Sequence, residues 1–165
     1  MKKKDTVDTD IEESFSEIYT KFKLHFYREV FKNWDDREAT LTTVESFCME
    51  VIYALKRPTV NEFASFVRIS SPNAAYKINN LVKKGYLRRV RSETDRREYY
   101  LEPTDKYLAY YNIASAYMYK TIGKTKSRLD KEQQKGALEL FKIILEEMNA
   151  DMPELDKDNK NPKEK

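Results

Sequence analysis

Glycine, proline and long apolar runs are scarce in this 165-residue sequence, and their scarcity limits the possible folds. Three glycines and five prolines occur, while charged residues make up 36% of the chain. Helices accept many charged residues and few helix breakers, so this composition indicates one highly helical globular unit. No apolar run approaches the ~20 residues that a membrane-spanning helix needs. The first ten residues, MKKKDTVDTD, lack the apolar segment of a secretory signal, so we expect a cytoplasmic protein.

Cysteine and histidine each occur once, which excludes several kinds of site within one chain. Cys48 cannot form an internal disulfide, and its position on an apolar helix face predicts a buried, unreactive thiol rather than an oxidant sensor. His25 cannot form a histidine pair around a metal, and we expect it to be packed or solvated. No phosphate-binding glycine loop or G-x-S-x-G motif is present. The sequence therefore predicts no enzyme, no metal site and no cofactor.

Two capping boxes mark the starts of two helices in the middle of the chain. Thr42 with Glu45 opens a helix that is expected to run to about Leu55, and Thr59 with Glu62 opens the next one. Helical spacing predicts the inward faces of both helices. The first inward face is Val44, Phe47, Cys48, Val51, Ile52 and Leu55, and the second is Val60, Phe63, Ala64 and Val67.

A further helix is expected after a short connection. It begins at Ser70 or Ser71, a hydroxyl cap, has Pro72 near its first position, and ends at Gly85 in a left-handed turn. At 100° per residue the two faces of this helix separate cleanly. The inward side is Ala74, Ala75, Ile78, Leu81 and Val82, and the outward side is Asn73, Tyr76, Lys77, Asn80, Lys83 and Lys84. An ordinary amphipathic helix with a solvated polar face is the alternative interpretation.

A basic β-hairpin follows. Residues 86–92 (YLRRVRS) and 98–101 (EYYL) are rich in aromatic and β-branched residues, and a polar turn separates them. Between Arg68 and Arg97 there are nine lysines and arginines against two acids, a local charge of +7 in a chain whose total is +3. An outward polar helix beside a basic hairpin suits duplex DNA, with the helix in the major groove and the hairpin along the backbone or minor groove. The combination predicts a winged helix-turn-helix.

Side-chain chemistry suggests a role for each candidate DNA contact. Asn73 could pair with adenine, Tyr76 could contact a thymine methyl or a phosphate, and Lys77 could reach guanine or phosphate. Ser70 and Ser71, at a helix N-terminus, suit a phosphate oxygen. The strand arginines would be backbone clamps or simply exposed charges. The candidates outside the wing tip are Ser70, Ser71, Asn73, Tyr76, Lys77, Asn80, Arg88, Arg89 and Arg91.

The motifs of this region resemble the MarR-type transcriptional regulators. The resemblance runs from near Leu41 to Lys106 and is carried by four segments. These are Ile69-Ser70-Ser71-Pro72, Leu81-Val82-Lys83-Lys84-Gly85-Tyr86-Leu87, Asp95-Arg96-Arg97, and Leu101 with Thr104-Asp105-Lys106. The resemblance implies that Arg97 is the wing's DNA contact and that Asp95 holds its guanidinium, although Arg96 could make the contact instead. Two positions depart from the family pattern: Phe66-Val67-Arg68 replaces a common leucine-glycine, and Tyr107 stands where glycine is frequent.

The flanking helices carry apolar stripes that exceed the needs of one small domain. The stripes are Ile11, Phe15, Ile18, Phe22, Phe26 and Val30 in the first helix, and Leu138, Phe141, Ile144, Leu145 and Met148 in the last. Thr104 and the Asp130/Gln133 pair are predicted to cap the two helices after the wing. We expect a dimerisation helix in 1–35, a DNA-binding lobe in 36–103, linking and dimerisation helices in 104–150, and a disordered tail in 151–165. Packing within one chain is the alternative for the stripes.

Tyrosine is unusually abundant, with 12 in the chain and five between Tyr107 and Tyr119. With Phe22, Phe26 and Trp34 these rings could line a pocket between the platform and the DNA-binding lobe. The family resemblance implies a small aromatic or amphipathic ligand there, whereas simple core packing is the more conservative interpretation.

Together these features predict a mostly α-helical protein with a small β-hairpin wing, a winged helix-turn-helix lobe on a helical dimerisation platform. The function that the resemblance implies is a homodimeric, sequence-specific DNA-binding regulator, a repressor relieved by a small ligand, on a pseudo-palindromic operator. One alternative is a winged-helix module that docks an acidic protein partner. Another is a DNA-binding protein of replication or plasmid maintenance.

Overall fold

Six α-helices and one antiparallel pair of strands make up the part of the chain that this computed structural model describes, residues 10–32, 41–92, 98–152 and 155. In chain order they are α1 (Ile11–Lys32), α2 (Thr43–Ala54), α3 (Val60–Phe66), α4 (Ser71–Lys83), β1 (Leu87–Arg91), β2 (Tyr99–Pro103), α5 (Asp105–Lys126) and α6 (Lys131–Asp151). The predicted fold class, mostly α with a β-hairpin wing, is confirmed.

Three of the predicted capping boxes are present. The pairs Thr42/Glu45, Thr59/Glu62 and Asp130/Gln133 each satisfy backbone N–H groups at the start of a helix in both directions. Each box therefore stabilises its helix start, typically by about 1 kcal/mol for the capping side chain. Thr104 lies at the N-cap position of α5, but its side chain does not cap that helix. Thr9 and Glu12 have the spacing of a further capping box, but Thr9 lies outside the described residues.

Left-handed backbone conformations end α3 and α4. Arg68 has φ 54° in the turn between them, and Gly85 has φ 76° after α4. The prediction of a left-handed Gly85 is confirmed. An L-residue such as Arg68 pays a steric cost in this region that glycine does not. The helix-turn-helix is closed here by a hydrogen bond from the Ile69 N–H to the Ala64 carbonyl at 3.0 Å.

The core lies between α2, α3, α4 and the wing, and one residue of α5 reaches into it. Its largest fully buried side chains are Tyr107, Phe63, Met49, Ile52, Ile78, Leu81, Leu87 and Leu101. Burial of each such side chain stabilises the fold by about 1.5–3 kcal/mol. The predicted inward face of α2 was partly wrong, because Val44 and Phe47 are 53% and 55% exposed while Met49 is buried. The apolar stripe of α2 is wider than the face that α3 and α4 can cover.

The wing is a two-stranded sheet extended by one bridge. Its antiparallel register places Arg88 opposite Glu102 and Arg89 opposite Leu101. The chain just before α3 joins the outer edge of β2 through a bridge between Thr59 and Tyr100, and the Leu101 N–H donates to the Pro58 carbonyl at 2.8 Å. The wing is thereby fastened to the start of the helix-turn-helix.

The platform helices present their apolar faces largely to solvent in the single chain. Phe22 packs edge-on against Tyr117 at 5.7 Å between ring centroids, and Phe26 packs against Tyr110 at 5.6 Å, so α1 lies against α5. Helix α6 has no buried residue. The exposed apolar side chains of these helices include Ile11, Phe15, Ile18, Leu24, Phe31, Leu138, Phe141, Ile143, Leu145 and Met148. No helix in the described ranges is long and apolar enough to cross a membrane.

Candidate nucleic-acid interface

Helix α4 is anchored by its inner face and by its N-cap. Ala74, Ile78 and Leu81 are buried, as the sequence predicted. Ser70 occupies the N-cap position, and its Oγ accepts from the Asn73 N–H at 3.4 Å. Val82, predicted to face inward, is 36% exposed because it lies at the edge of the buried sector. The helix is therefore held on one side and offers the opposite side to solvent.

The outward face of α4 is polar. Tyr76 is 66% exposed, Asn73 is exposed, and Lys77 and Asn80 are half-buried. Within the described residues none of these four side chains forms a hydrogen bond or an ion pair. Amide, phenol and ammonium groups in this state can form hydrogen bonds with base edges or phosphates without first breaking an internal bond.

The N-terminus of α4 contacts α3 through Asn61, a residue that the sequence reasoning did not select. The Ser71 Oγ donates to the Asn61 Oδ1 at 3.3 Å. The Asn61 amide nitrogen, with two N–H donors, then points away from Ser71. Asn61 also lines a surface depression together with Thr59, Val60, Arg89, Glu98 and Tyr99. Asn61 thus lies between the start of α4 and the wing residues Arg89 and Tyr99. A polar residue two positions after the N-cap Thr59 was the available signal.

The three arginines of β1 lie on different faces of the wing. Arg89 and Arg91 share one face because alternate residues of a strand point to the same side. Arg88 lies on the other face, where its Nη2 is 2.7 Å from Glu102 Oε2. Glu102 Oε1 also accepts from Arg57 Nε at 2.6 Å, and the Arg57 guanidinium stacks over the Tyr100 ring. Arg88 therefore forms an ion pair with Glu102 across the two strands, while Arg89 forms no ion pair with any described residue.

The tip of the wing, residues 93–97, lies outside the described residues. The roles predicted for Asp95, Arg96 and Arg97 therefore stay predictions.

An ion pair fixes the C-terminal end of α4 against α2. Lys84 Nζ donates to Glu45 Oε2 at 2.7 Å, and the same carboxylate accepts from the Thr42 N–H at 2.8 Å. Burial acts to raise the pKa of Glu45, but the bonds from Lys84 and Thr42 outweigh it and lower that pKa below its ordinary value. The carboxylate is consequently ionised at neutral pH and holds the end of α4 in place.

Cys48 and His25 are both packed. Cys48 is 7% exposed, and burial raises the pKa of its thiol, as expected of an unreactive cysteine. His25 stacks on Tyr117 with 3.5 Å between ring centroids. No group of three or more histidine, cysteine, aspartate or glutamate side chains in the described ranges could hold a metal ion.

A tyrosine cluster joins α2 to α5. Tyr53 of α2 lies 4.5 Å from Tyr111 of α5 between ring centroids, and Tyr107 lies within 6.2 Å of Tyr53, Tyr110 and Tyr111. The Tyr110 hydroxyl is 3.3 Å from the Ser46 Oγ. The described rings pack against one another, so core packing accounts for them as far as the structure describes them. Trp34 lies outside the described residues.

Comparisons with known proteins agree with this architecture. Residues 41–99 match the model of the MarR family. The chain is similar to the solved structure of transcriptional regulator Tm0710 from Thermotoga maritima, with 22% identity, a TM-score of 0.56, and coverage of 86% of this chain and 96% of that one. No curated protein matches the sequence significantly.

Two further solved structures are similar. One is FabT of Streptococcus pneumoniae in complex with DNA, with 21% identity, a TM-score of 0.52, and coverage of 83% of this chain and 99% of that one. The other is MepR of S. aureus bound to ethidium bromide, with 15% identity, a TM-score of 0.58, and coverage of 84% and 96%. At these identities the likeness establishes the shared fold. Residues 41–99 thus match the model of the MarR family, as the resemblance in the sequence predicted, and the solved structures show that the flanking helices share the same fold.

Proposed function

We propose that this protein is a homodimeric, sequence-specific DNA-binding transcriptional regulator that acts as a repressor. The observation that carries the proposal is the unpaired polar face of α4 beside the exposed Arg89 side of the wing, with Asn61 between them. Helix α4 would enter the major groove, where Asn73 and Tyr76 meet base edges. Arg89 and Arg91 would contact the sugar-phosphate backbone, and Ser70 and Ser71 a phosphate at the helix start. FabT, which shares the fold, was solved in complex with DNA.

The dimer is supported by the apolar surface of the platform. Helix α6 has no buried residue, and Phe141 and Leu145 are 47% and 57% exposed on it. Apolar area of this extent on two long helices is costly in water, and a second copy of the chain would cover it. Two-fold symmetry then places two α4 helices about 34 Å apart, one turn of B-DNA, and predicts a pseudo-palindromic operator.

The proposed ligand would bind at the tyrosine cluster between lobe and platform. Tyr53 is 38% exposed there, and Tyr111 is half-buried against it. A small aromatic or amphipathic molecule that inserts between these rings would change the spacing of the two lobes and weaken DNA binding. MepR, with the same fold, was solved with ethidium bromide bound. Because such a regulator works on chromosomal DNA, a cytoplasmic location belongs to this proposal.

Selection of duplexes from fragmented genomic DNA, followed by footprinting, tests the proposal. A protected two-fold site that overlaps a promoter is the expected result. Protection confined to a replication origin would instead assign the protein to replication or plasmid maintenance. Salt-sensitive retention of all fragments alike, without a footprint, would contradict sequence-specific regulation and favour a module that docks an acidic protein.

A further inference from the structure

Thr104, the residue directly before α5, forms its side-chain hydrogen bond with the chain at the end of α4 rather than with its own helix. Thr104 occupies the N-cap position, where a threonine ordinarily accepts a hydrogen bond from the first turn of the following helix. Its Oγ1 instead donates to the Gly85 carbonyl at 2.7 Å. The Thr104 N–H also donates to the Tyr86 carbonyl at 3.0 Å. Two bonds from one residue therefore connect α5 to the chain that leaves α4.

Lys106, in the first turn of α5, contacts the same end of α4. Its Nζ donates to the Lys84 carbonyl at 3.0 Å and lies 4.4 Å from the centroid of the Tyr86 ring. The last carbonyls of a helix lack partners within that helix and carry the negative end of its dipole. The Lys106 ammonium supplies such a partner to the carbonyl of the C-cap residue Lys84, and the Thr104 hydroxyl binds the carbonyl of the next residue, Gly85. Tyr86, only 3% exposed, fills the space between the two helices.

This contact lies at the C-terminal end of α4, so a small change of helix tilt there displaces the residues near the N-terminus that would contact base edges. Asn73 lies eleven residues before Lys84 in α4, about 16 Å along the axis at 1.5 Å per residue. A tilt of roughly 10° about the C-terminal end would displace Asn73 by about 3 Å, which exceeds the tolerance of a hydrogen bond to a base. Attraction between lysine or arginine and phosphates falls off more slowly with distance and tolerates such a displacement.

We propose that Thr104 and Lys106 are positioning residues that set the angle at which α4 enters the major groove. This inference rests on the proposed DNA-binding function. The two residues do not touch DNA; they act through the carbonyls of Gly85 and Lys84. Their loss lowers affinity for the specific site while binding to unrelated duplex stays the same, because only base contacts require the correct tilt.

The test compares matched variants on the footprinted site and on an unrelated duplex, in the full-length protein. Thr104→Val keeps the side-chain shape and removes the donor, and Lys106→Met removes the charge and keeps the aliphatic stem. Thr125→Val and Lys124→Met are the controls on the same helix, since the Thr125 hydroxyl donates to the Thr121 carbonyl within α5. Each test variant is expected to bind the specific site about tenfold more weakly, the effect of losing one base contact, and the controls to bind as the wild type does. Thr104→Ser keeps the hydroxyl donor, so this variant is expected to bind the specific site as the wild type does.

Three results would overturn the inference. Unchanged specific affinity of Thr104→Val and Lys106→Met would show that the contact does not position α4. An equal loss on both duplexes, accompanied by a lower melting temperature, would assign the contact to folding alone. If the wild-type protein itself shows no footprint, the proposed function fails first, and that failure is visible before any variant is compared.

Discussion

Arg88 and Glu102 form a forked ion pair across the wing, with Arg88 Nε and Nη2 at 2.9 and 2.7 Å from the same carboxylate oxygen. The other oxygen of Glu102 binds Arg57. One carboxylate thus pairs with two arginines and offsets half of their combined charge, on the wing face opposite Arg89 and Arg91. The arginines of β1 are therefore not equivalent as DNA contacts.

Substitution of the two neighbouring arginines should separate their roles. Arg89→Ala is expected to reduce the slope of log affinity against log salt concentration by about one, because one phosphate contact is lost. Arg88→Ala should change the slope less, since its charge is already paired with Glu102. Fluorescence anisotropy at several salt concentrations measures both slopes. An equal reduction by the two variants would contradict this ranking.

The ion pair between Glu45 and Lys84 predicts a pH-dependent contribution to stability. The pKa of Glu45 is lowered in the folded state, so its contribution is present above the ordinary value of 4.5 and is lost as the pH falls through the folded-state pKa. Glu45→Gln should cost about 1–3 kcal/mol at pH 7, because a partly buried ammonium loses a charged partner. The difference from wild type should vanish once the pH lies below the folded-state pKa of Glu45.

Urea denaturation at a series of pH values measures this difference. Glu139→Gln is the matched control, because its pair with Lys142 is 3.7 Å long and exposed and should contribute about 0–0.5 kcal/mol. A Glu45→Gln deficit that persisted unchanged at low pH would show that packing, rather than the carboxylate charge, is responsible.

The Tyr107 hydroxyl predicts a stabilising substitution. Tyr107 is 1% exposed, and its hydroxyl has no hydrogen-bond partner among the described residues. Burial, with a further contribution from the charge of Glu50, raises the pKa of this phenol. Tyr107→Phe should therefore raise the free energy of unfolding by up to about 1 kcal/mol, since a desolvated polar group is removed.

Tyr110→Phe provides the contrast, because the Tyr110 hydroxyl lies 3.3 Å from Ser46 Oγ. That variant should lose about 1 kcal/mol. Equilibrium denaturation with an unchanged m-value compares the two. A loss of similar size in both variants would indicate that the Tyr107 hydroxyl is satisfied in solution.

Contacts between residues close in the sequence could be predicted, whereas contacts between distant elements could not. The boxes at Thr42, Thr59 and Asp130 depend only on residues three apart, and the buried face of α4 depends only on helical spacing. By contrast, Thr104 was correctly placed at a helix start, but its hydroxyl bonds to Gly85, nineteen residues earlier. A sequence pattern within one helix does not predict which carbonyl of another helix end will lie within hydrogen-bond distance.

Wide apolar stripes were the other source of error. On α2 the sequence indicated Val44 and Phe47 as inward, and the structure buries Met49 instead. Periodicity identifies an apolar sector, but the choice of buried residues within it depends on where α3 and α4 lie. The ion pair of Arg88 was missed for a similar reason, because it requires the strand register that places Glu102 opposite Arg88.

Arg68 and Gly85 offer a matched test of backbone strain. Both have positive φ, 54° for Arg68 and 76° for Gly85, but at the first position an arginine occupies the conformation that favours glycine. Arg68→Gly should therefore leave stability unchanged or raise it by about 1 kcal/mol, as relief of left-handed strain offsets the greater freedom of the unfolded chain.

Gly85→Ala should act in the opposite direction. No atom lies within 4 Å of an added Cβ there, so the expected loss of about 1–2 kcal/mol comes from the φ of 76° alone. Thermal and urea denaturation of both variants measure the two effects. Destabilisation by Arg68→Gly would mean that the arginine side chain contributes more than its backbone costs.

The exposed stripe of α6 should govern self-association. Phe141→Asp places a carboxylate among Leu138, Leu145 and Met148, and burial of that charge in an apolar interface should weaken a dimer at least about 100-fold. Lys135→Asp is the control, because it introduces the same carboxylate on the polar side of α6, which also carries Glu139 and Lys142. Sedimentation equilibrium should give twice the 19.7 kDa chain mass for wild type and control, and a single chain for Phe141→Asp at micromolar concentration. A dimer that survived Phe141→Asp would place the interface on α1 and α5, whose Ile11, Phe15 and Ile122 are also exposed.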